Sequence, residues 1–374
     1  MRYMILAITP IAIAVSVYLF FLLRRILTLF GISAGNKWAK ALSGVAAAAL
    51  GACTLNIFSF FGVAVLHIVV MALVTELINY AVKLIARKKY NSLKAWQAIY
   101  RSGALALVFT AILMVGGYIN LHTVVETDYT VETEKNIRAE GYRVALLSDI
   151  HFGVSVDYNE LLEICEEIGE KDIDVVVLCG DIVDNDTTRT EMQQVFSALG
   201  GIKSEYGVFY VHGNHDRPFG FGGFESEFSE AELIEAIEGS GIKILCDEVY
   251  KISDDFVIAG REDLSAKTRK TTAELLAGID GDRFILTLDH QPREYSATAE
   301  TATDLVLSGH THGGQLWPLK QIQEIFKFND KVYGHGYIDS DTQYIVTSGV
   351  AGWKYPIKTA SPAEYVIIDV VKEV

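Results

Sequence analysis

Four apolar stretches fill most of the first 120 residues: about Met4 to Leu23, Ala41 to Phe60, Phe61 to Val82 and Gly103 to Leu121. Each has the length that crosses a bilayer as a helix, about 20 apolar residues. A cleaved signal peptide does not account for the first, because hydrophobicity continues after it and no small-residue cleavage site follows. Charge divides the chain at the same place. Through residue 120 there are eleven Lys or Arg and a single acidic residue, Glu76; the net charge there is +10, against −25 for the remainder. The sequence therefore predicts an all-α transmembrane region of four helices over 1–120 and a second, acidic domain over 121–374, each in its own surroundings. The division between the second and third stretches falls near Leu55 to Gly62.

The loops give an orientation. Arg24, Arg25, Lys37 and Lys40 lie between the first two stretches, and Lys83, Arg87, Lys88, Lys89, Lys94 and Arg101 between the last two. Basic loops stay cytoplasmic. With four spans, the N-terminus and the domain after the fourth are both outside, on a multi-pass protein of the cell membrane. Glu76 and His67 are the polar residues within the third span, where ionisable groups are costly. Glu76 sits near the span's end, beside Asn79 and Tyr80, where headgroups or Lys83 can satisfy it.

The second region alternates short β-branched apolar runs with helical patterns. Runs at Tyr142 to Ser148, Ile173 to Cys179, Val208 to Val211, Phe284 to Asp289 and Asp304 to Ser308 read as buried strands. Tyr158 to Glu170, Arg189 to Leu199 and Ala231 to Glu238 read as helices between them. Such alternation implies βαβ units and a largely parallel sheet, whose ligands bind beyond the carboxyl ends of the strands. Each strand is followed by metal-binding side chains: Asp149-x-His151, Gly180-Asp181-x-x-Asp184, Gly213-Asn214-His215-Asp216, His290, and Gly309-His310-Thr311-His312. Oxygen donors mixed with imidazoles suit Mn²⁺, Fe²⁺ or Zn²⁺ rather than Ca²⁺ or Cu(I). No Cys belongs to the set.

Taken in order, these five segments resemble the calcineurin-like metallophosphoesterases, over residues from about 140 to the C-terminus. The continuations Gly313-Gly314-Gln315 and Gly349-Val350-Ala351-Gly352 are similar to the bacterial, membrane-associated branch. The resemblance implies an α/β sandwich of two mixed β-sheets flanked by helices. It also implies two divalent metal ions, one held by Asp149, His151 and His312, the other by Asn214, His290 and His310. Asp181 bridges them at about 3.5–4 Å separation. His215 is left to stabilise or protonate the leaving oxygen, with Asp216 as partner for its imidazole. Asp184 is expected behind the ligands. A lone histidine is more often a core or surface residue than a ligand; His290 escapes that reading through its place at a strand end and its match to the family pattern. His212 and His335 have no such support. Cys165 and Cys179 read as small hydrophobes.

The substrate class implied is a phosphate ester or pyrophosphate, cleaved by metal-activated hydroxide. An acidic domain without a basic patch excludes nucleic acid, whose binding leans on Lys and Arg at phosphates. Two loops, Arg217 to Glu227 and Leu316 to Gly336, are rich in apolar bulk and point to a lipid-linked phosphoester at the membrane. One alternative is a UDP-acyl-sugar pyrophosphohydrolase of lipid synthesis facing the cytoplasm; another is a non-catalytic metal-binding envelope protein. The stretch Asn120 to Gly141 is a linker whose alternation suits an edge strand joining the domain.

Overall fold

The computed structural model describes residues 2–33, 35–216 and 226–373. The loop expected to carry Phe219, Phe221 and Phe224 lies outside them. The chain divides into two compact units, 1–118 with 354–356, and 119–353 with 357–374.

The first unit is helical: α1 (Arg2–Leu29), α2 (Lys37–Cys53), α3 (Phe60–Ala86), a 3₁₀ turn at Arg87–Ser92, α4 (Lys94–Ser102) and α5 (Ala104–Leu121). Among the described residues three segments are long and apolar enough to cross a membrane, Ile8–Leu29, Phe60–Ser92 and Ala104–Leu121. The helix break falls at 54–59, where the Ser59 side chain caps α3 by accepting from the Gly62 amide. Its neighbour α2 has 17 residues, a rise of about 25 Å against a hydrocarbon core of about 30 Å. Glu76 is satisfied otherwise than expected. Instead of headgroups or Lys83, it meets the Arg25 guanidinium and the Tyr100 hydroxyl, and the same guanidinium lies 4.2 Å over the Tyr100 ring. Asn79 Oδ1 accepts from Tyr90 at 2.8 Å and from Trp96 Nε1 at 3.0 Å.

Among the described residues the second unit contains twelve strands: β1 (Val124–Thr133), β2 (Tyr142–Leu147), β3 (Val175–Cys179), β4 (Val208–Val211), β5 (Lys243–Ile244), β6 (Glu248–Lys251), β7 (Phe256–Gly260), β8 (Phe284–Leu288), β9 (Leu305–Ser308), β10 (Gly334–Tyr337), β11 (Gln343–Val346) and β12 (Ala363–Lys372). They form two six-stranded sheets, ordered β1-β12-β2-β3-β4-β5 and β10-β11-β9-β8-β7-β6. The central strands of each are parallel, β2 through β5 in the first and β7, β8, β9 and β11 in the second. Antiparallel pairs, β12 with β2, β6 with β7 and β10 with β11, make both sheets mixed. The two inner faces pack together through Val144, Leu146, Val177 and Phe209 of one sheet and Ile258, Phe284, Leu286 and Leu307 of the other.

Helices α6 (Tyr158–Gly169), α7 (Arg189–Gly200) and α8 (Glu230–Gly239) cover the outside of the first sheet, burying Leu161, Phe196 and Leu233 against it. Each begins with a capping box, Asp157/Glu160, Thr188/Glu191 and Ser229/Glu232, in which each side chain accepts from the other residue's backbone amide. The remaining helices are short: α9 (Thr272–Leu275), α10 (Tyr295–Ala299) and α11 (Leu319–Phe326). The alternating stretch after residue 120 is an ordered edge strand. As β1 it runs parallel to β12 along ten residue pairs, from Val124–Ala363 to Thr133–Lys372.

Candidate metal centre

Because β2, β3 and β4 run parallel in one sheet, and β8 and β9 in the other, the loops that follow them share one edge of the sandwich. Backbone bonds lace these loops together. The Asp149 amide donates to Gly180 O at 3.0 Å, His151 to Asp181 O at 3.1 Å, and Gly309 to His290 O at 2.9 Å. Five of the expected ligands, Asp149, His151, Asp181, His310 and His312, have φ between 39° and 70°. Left-handed backbone is uncommon for non-glycine residues and persists where the surroundings over-determine it. Here each strand ends by turning abruptly to aim its donor inward.

The donors gather into two groups. Ligand atoms of Asp149, His151 and His312 lie within 4.8 Å of one another, and so do those of Asp181, His290 and His310. In the first, His312 Nε2 is 3.4 Å from Asp149 Oδ1 and 3.3 Å from His151 Nε2. In the second, His290 Nε2 is 3.1 Å from Asp181 Oδ2, while His290 Nδ1 lies 2.7 Å from the Cys179 carbonyl, which fixes the ring. Asp181 lies between the groups, with Oδ2 also 3.8 Å from His151 Nε2. Asn214 Oδ1 is buried and has no hydrogen-bond partner among the described residues. An unpaired acceptor at that depth is costly unless something electropositive reaches it.

Burial shapes the protonation of the set. It holds the His151 imidazole down to about 3 and that of His310 down to about 4, so both present lone pairs at neutral pH. Burial pushes the Asp149 carboxyl up to about 6, against the pull of His290 and with the repulsion of Asp181. For Asp181 and His290 burial works against both charges, yet each holds the other charged, the acid well below its ordinary range and the imidazole well above. Nearby carboxylates and imidazoles in a dry cleft are what divalent ions of the Mn²⁺, Fe²⁺ and Zn²⁺ kind require, so the residues present fit such ions.

His215 is buried beside these groups, its ring 5.3 Å from that of His151 and 5.1 Å from Trp353. Its amide donates to Asp181 Oδ1 at 2.7 Å, tying the imidazole to the central carboxylate. Asp216 has a different task from the one expected. Its carboxylate accepts from the amides of Asp181, Ile182, Val183 and Gly213 at 2.7–3.1 Å. It braces the turn that carries Asp181 rather than orienting His215. Asp184 Oδ2 lies 3.7 Å from His151 Nδ1. His335 is structural, with Nε2 at 3.0 Å from Gln343 Oε1 and its ring against Tyr129.

Several supporting residues gave no sequence signal. Lys358 is fully buried and its ammonium donates to the carbonyls of Ser348, Gly349 and Ala351. Those residues form the glycine-rich turn whose amides at Val350 and Ala351 bond Ser148 O and Asp149 O. Asp289 is paired with Arg261 and Arg269, both at 2.8 Å, beside His290. A lysine or arginine far along the chain has no periodicity that would mark it.

Two mixed sheets presenting carboxylates, imidazoles and a carboxamide at one edge define a metallohydrolase of the two-metal kind. The profile of the calcineurin-like phosphoesterases matches residues 142–314, from β2 through the last histidine pair. The chain is 32% identical over 318 residues to a Danio rerio transmembrane protein with metallophosphoesterase domain, covering 82% of this chain and 71% of that one. An uncharacterized metallophosphoesterase of Aquifex aeolicus is 30% identical over 277 residues, 70% of this chain and 98% of the relative. One from Helicobacter pylori is 30% identical over 229 residues, and there the match spans 58% of the relative's length. Among solved structures, a dimetal phosphatase from Danio rerio matches 55% of this chain and 86% of its own, at 13% identity and a TM-score of 0.35. The chain belongs to the calcineurin-like phosphoesterase family. It is a metal-dependent phosphoric ester hydrolase, and its apolar helices associate it with a membrane.

Proposed function

We propose that this protein hydrolyses a phosphate ester or pyrophosphate of a lipid-linked substrate at the outer face of the cell membrane. Asp149, His151 and His312 would hold one divalent ion, Asn214, His290 and His310 the second, and Asp181 both. When bound, such a pair supplies Lewis-acid polarisation of the phosphoryl group and water activation at neutral pH. The chain's own residues do the rest. His215, held beside the central carboxylate by its backbone, gives a proton to the departing oxygen. Trp353 limits its swing. Asp216 and Lys358 keep the ligand-bearing turns in place from behind.

The observation that carries the lipid reading is α11, which begins seven residues after His312. It exposes Ile325 at 73% and Phe326 at 66%, with Ile322 beside them and Phe328 just beyond its end. Such an exposed apolar patch, flanked by Lys320, Lys327 and Lys331, suits an interface between acyl chains and phosphate headgroups. The outside location is supported by the six Lys and Arg between 83 and 101, immediately before α5. With α2 as a fourth crossing, they and the four basic residues between the first two apolar stretches all lie on the cytoplasmic side and the end of α5 emerges outside; with three crossings the two basic loops fall on opposite sides.

The test compares metal-reconstituted full-length protein on vesicles bearing lipid phosphates and pyrophosphates with the same protein on soluble esters. Burying two such apolar side chains is worth roughly 1.5–3 kcal/mol each, so I325D/F326D should slow the vesicle reaction at least about tenfold. Its rate on soluble esters should be unchanged. Equal rates on both substrates, or equal loss in both assays, overturns the lipid assignment.

A further inference from the structure

A second constellation lies beside the metal centre and is not used by the phosphoesterase chemistry. His212 follows β4, Cys246 lies between β5 and β6, and Glu262 follows β7. The three come from the two different sheets and meet where the chain passes from one to the other. His212 Nδ1 is 2.9 Å from Cys246 Sγ and 3.4 Å from Glu262 Oε1. The three donor atoms lie within 4.8 Å of one another. The side chains of His212 and Glu262 are 5% and 11% exposed, and Cys246 is half-buried.

The cluster is held before any ligand arrives. The Glu262 amide donates to Asp247 Oδ1 at 3.1 Å, and the Lys270 amide to Asp247 Oδ2 at 2.8 Å. The residue next to Cys246 is thus already bonded to the segment carrying Glu262. Glu262 Oε1 also accepts the Asp263 amide at 2.8 Å, and a carboxylate has lone pairs for both an amide and a cation. A thiol–imidazole hydrogen bond alone would have no need of a buried carboxylate within reach of the sulfur.

We propose that His212 Nδ1, Cys246 Sγ and Glu262 form a third, mononuclear site for a borderline divalent ion, Zn²⁺ by preference, with its fourth position open to water. One nitrogen, one sulfur and one oxygen are all accepted by tetrahedral Zn²⁺, around which N and S donors stand roughly 3.5 Å apart. The thiolate separates this site from the neighbouring centre, whose donors include no sulfur. Its consequence is mechanical. An ion here clips the end of β4 to the end of β7 and steadies the segment that continues through Gly213 to Asn214.

Cobalt substitution reads the proposal directly. Full-length protein stripped with chelator and reloaded with Co²⁺ should show a thiolate-to-cobalt charge-transfer band. The band should be lost in C246A, together with one metal equivalent, while the cobalt absorption of the nitrogen and oxygen sites remains. In E262Q the band should persist but need more Co²⁺ to saturate. Should C246A fold poorly, the wild-type protein suffices: alkylation of Cys246 by iodoacetamide, followed by peptide mass spectrometry, should slow on adding Zn²⁺. Absence of the band from wild type, its survival in C246A, or alkylation indifferent to Zn²⁺ overturns the site. None of these readings depends on phosphoester hydrolysis.

Discussion

His215 and Asp216 are neighbours with opposite duties, and single substitutions should separate them. H215A removes the proposed proton donor but leaves the Asp181 contact, which is made by the backbone. It should lower kcat by about 10²–10⁴ while metal content and melting temperature stay near wild type. D216A strips four buried amides of their shared acceptor. Since each orphaned group costs about 1–3 kcal/mol, it should lower the melting temperature clearly and reduce bound metal. Equal effects of both on stability would contradict these roles. Asp149 predicts a pH dependence. Its carboxyl is pushed up to about 6, so in the metal-free protein its contribution to stability is complete below the ordinary carboxylate range and is lost as pH rises through about 6. A bound cation needs the ionised form; His151, held down to about 3, is a neutral donor across that interval, and His310, held down to about 4, becomes one as pH rises from 4. The rise in melting temperature on adding Mn²⁺ should therefore be small near pH 4 and grow as pH passes about 6. A rise independent of pH would refute it.

At the scale of elements, the turns after the strands are where chain geometry and chemistry meet. A Cβ on Gly309 would lie 2.2 Å from Asp149 Oδ2 and 2.1 Å from Ser148 Oγ, although its φ is ordinary. The glycine is there for close approach of the two sheets' loops, not for a left-handed turn. G309A should displace Asp149 and cost metal affinity before it costs stability, as isothermal titration with Mn²⁺ would show. The parallel strands and the helices between them were legible because each is local: apolar runs of four to seven residues alternating with helical patterns. β6 and β10 carry little sequence signal because their residues are half-exposed and few, and β11, though largely buried, because it has only four residues. The place of β12, inserted between β1 and β2, is a long-range choice that no window of sequence contains.

For the whole molecule, the prediction concerns sidedness. A reporter active only outside the cytoplasm, fused after Val374, should be active, and one active only inside should be silent. The reverse result would place the domain among cytosolic nucleotide-linked substrates and favour pyrophosphate cleavage there. The two-region plan, the apolar segments and seven candidate ligands with His215 could be written from the sequence alone, because hydropathy and donor type are properties of residues and their spacing. Tertiary structure decided what depends on distance between remote segments: the partner of Glu76 in α1, the brace role of Asp216, and the buried Lys358 beneath the Gly349 turn. It also brought His212, Cys246 and Glu262 to one point. Sequence separation carries no information about such contacts, since the packing of two sheets, rather than local preference, brings those side chains within reach.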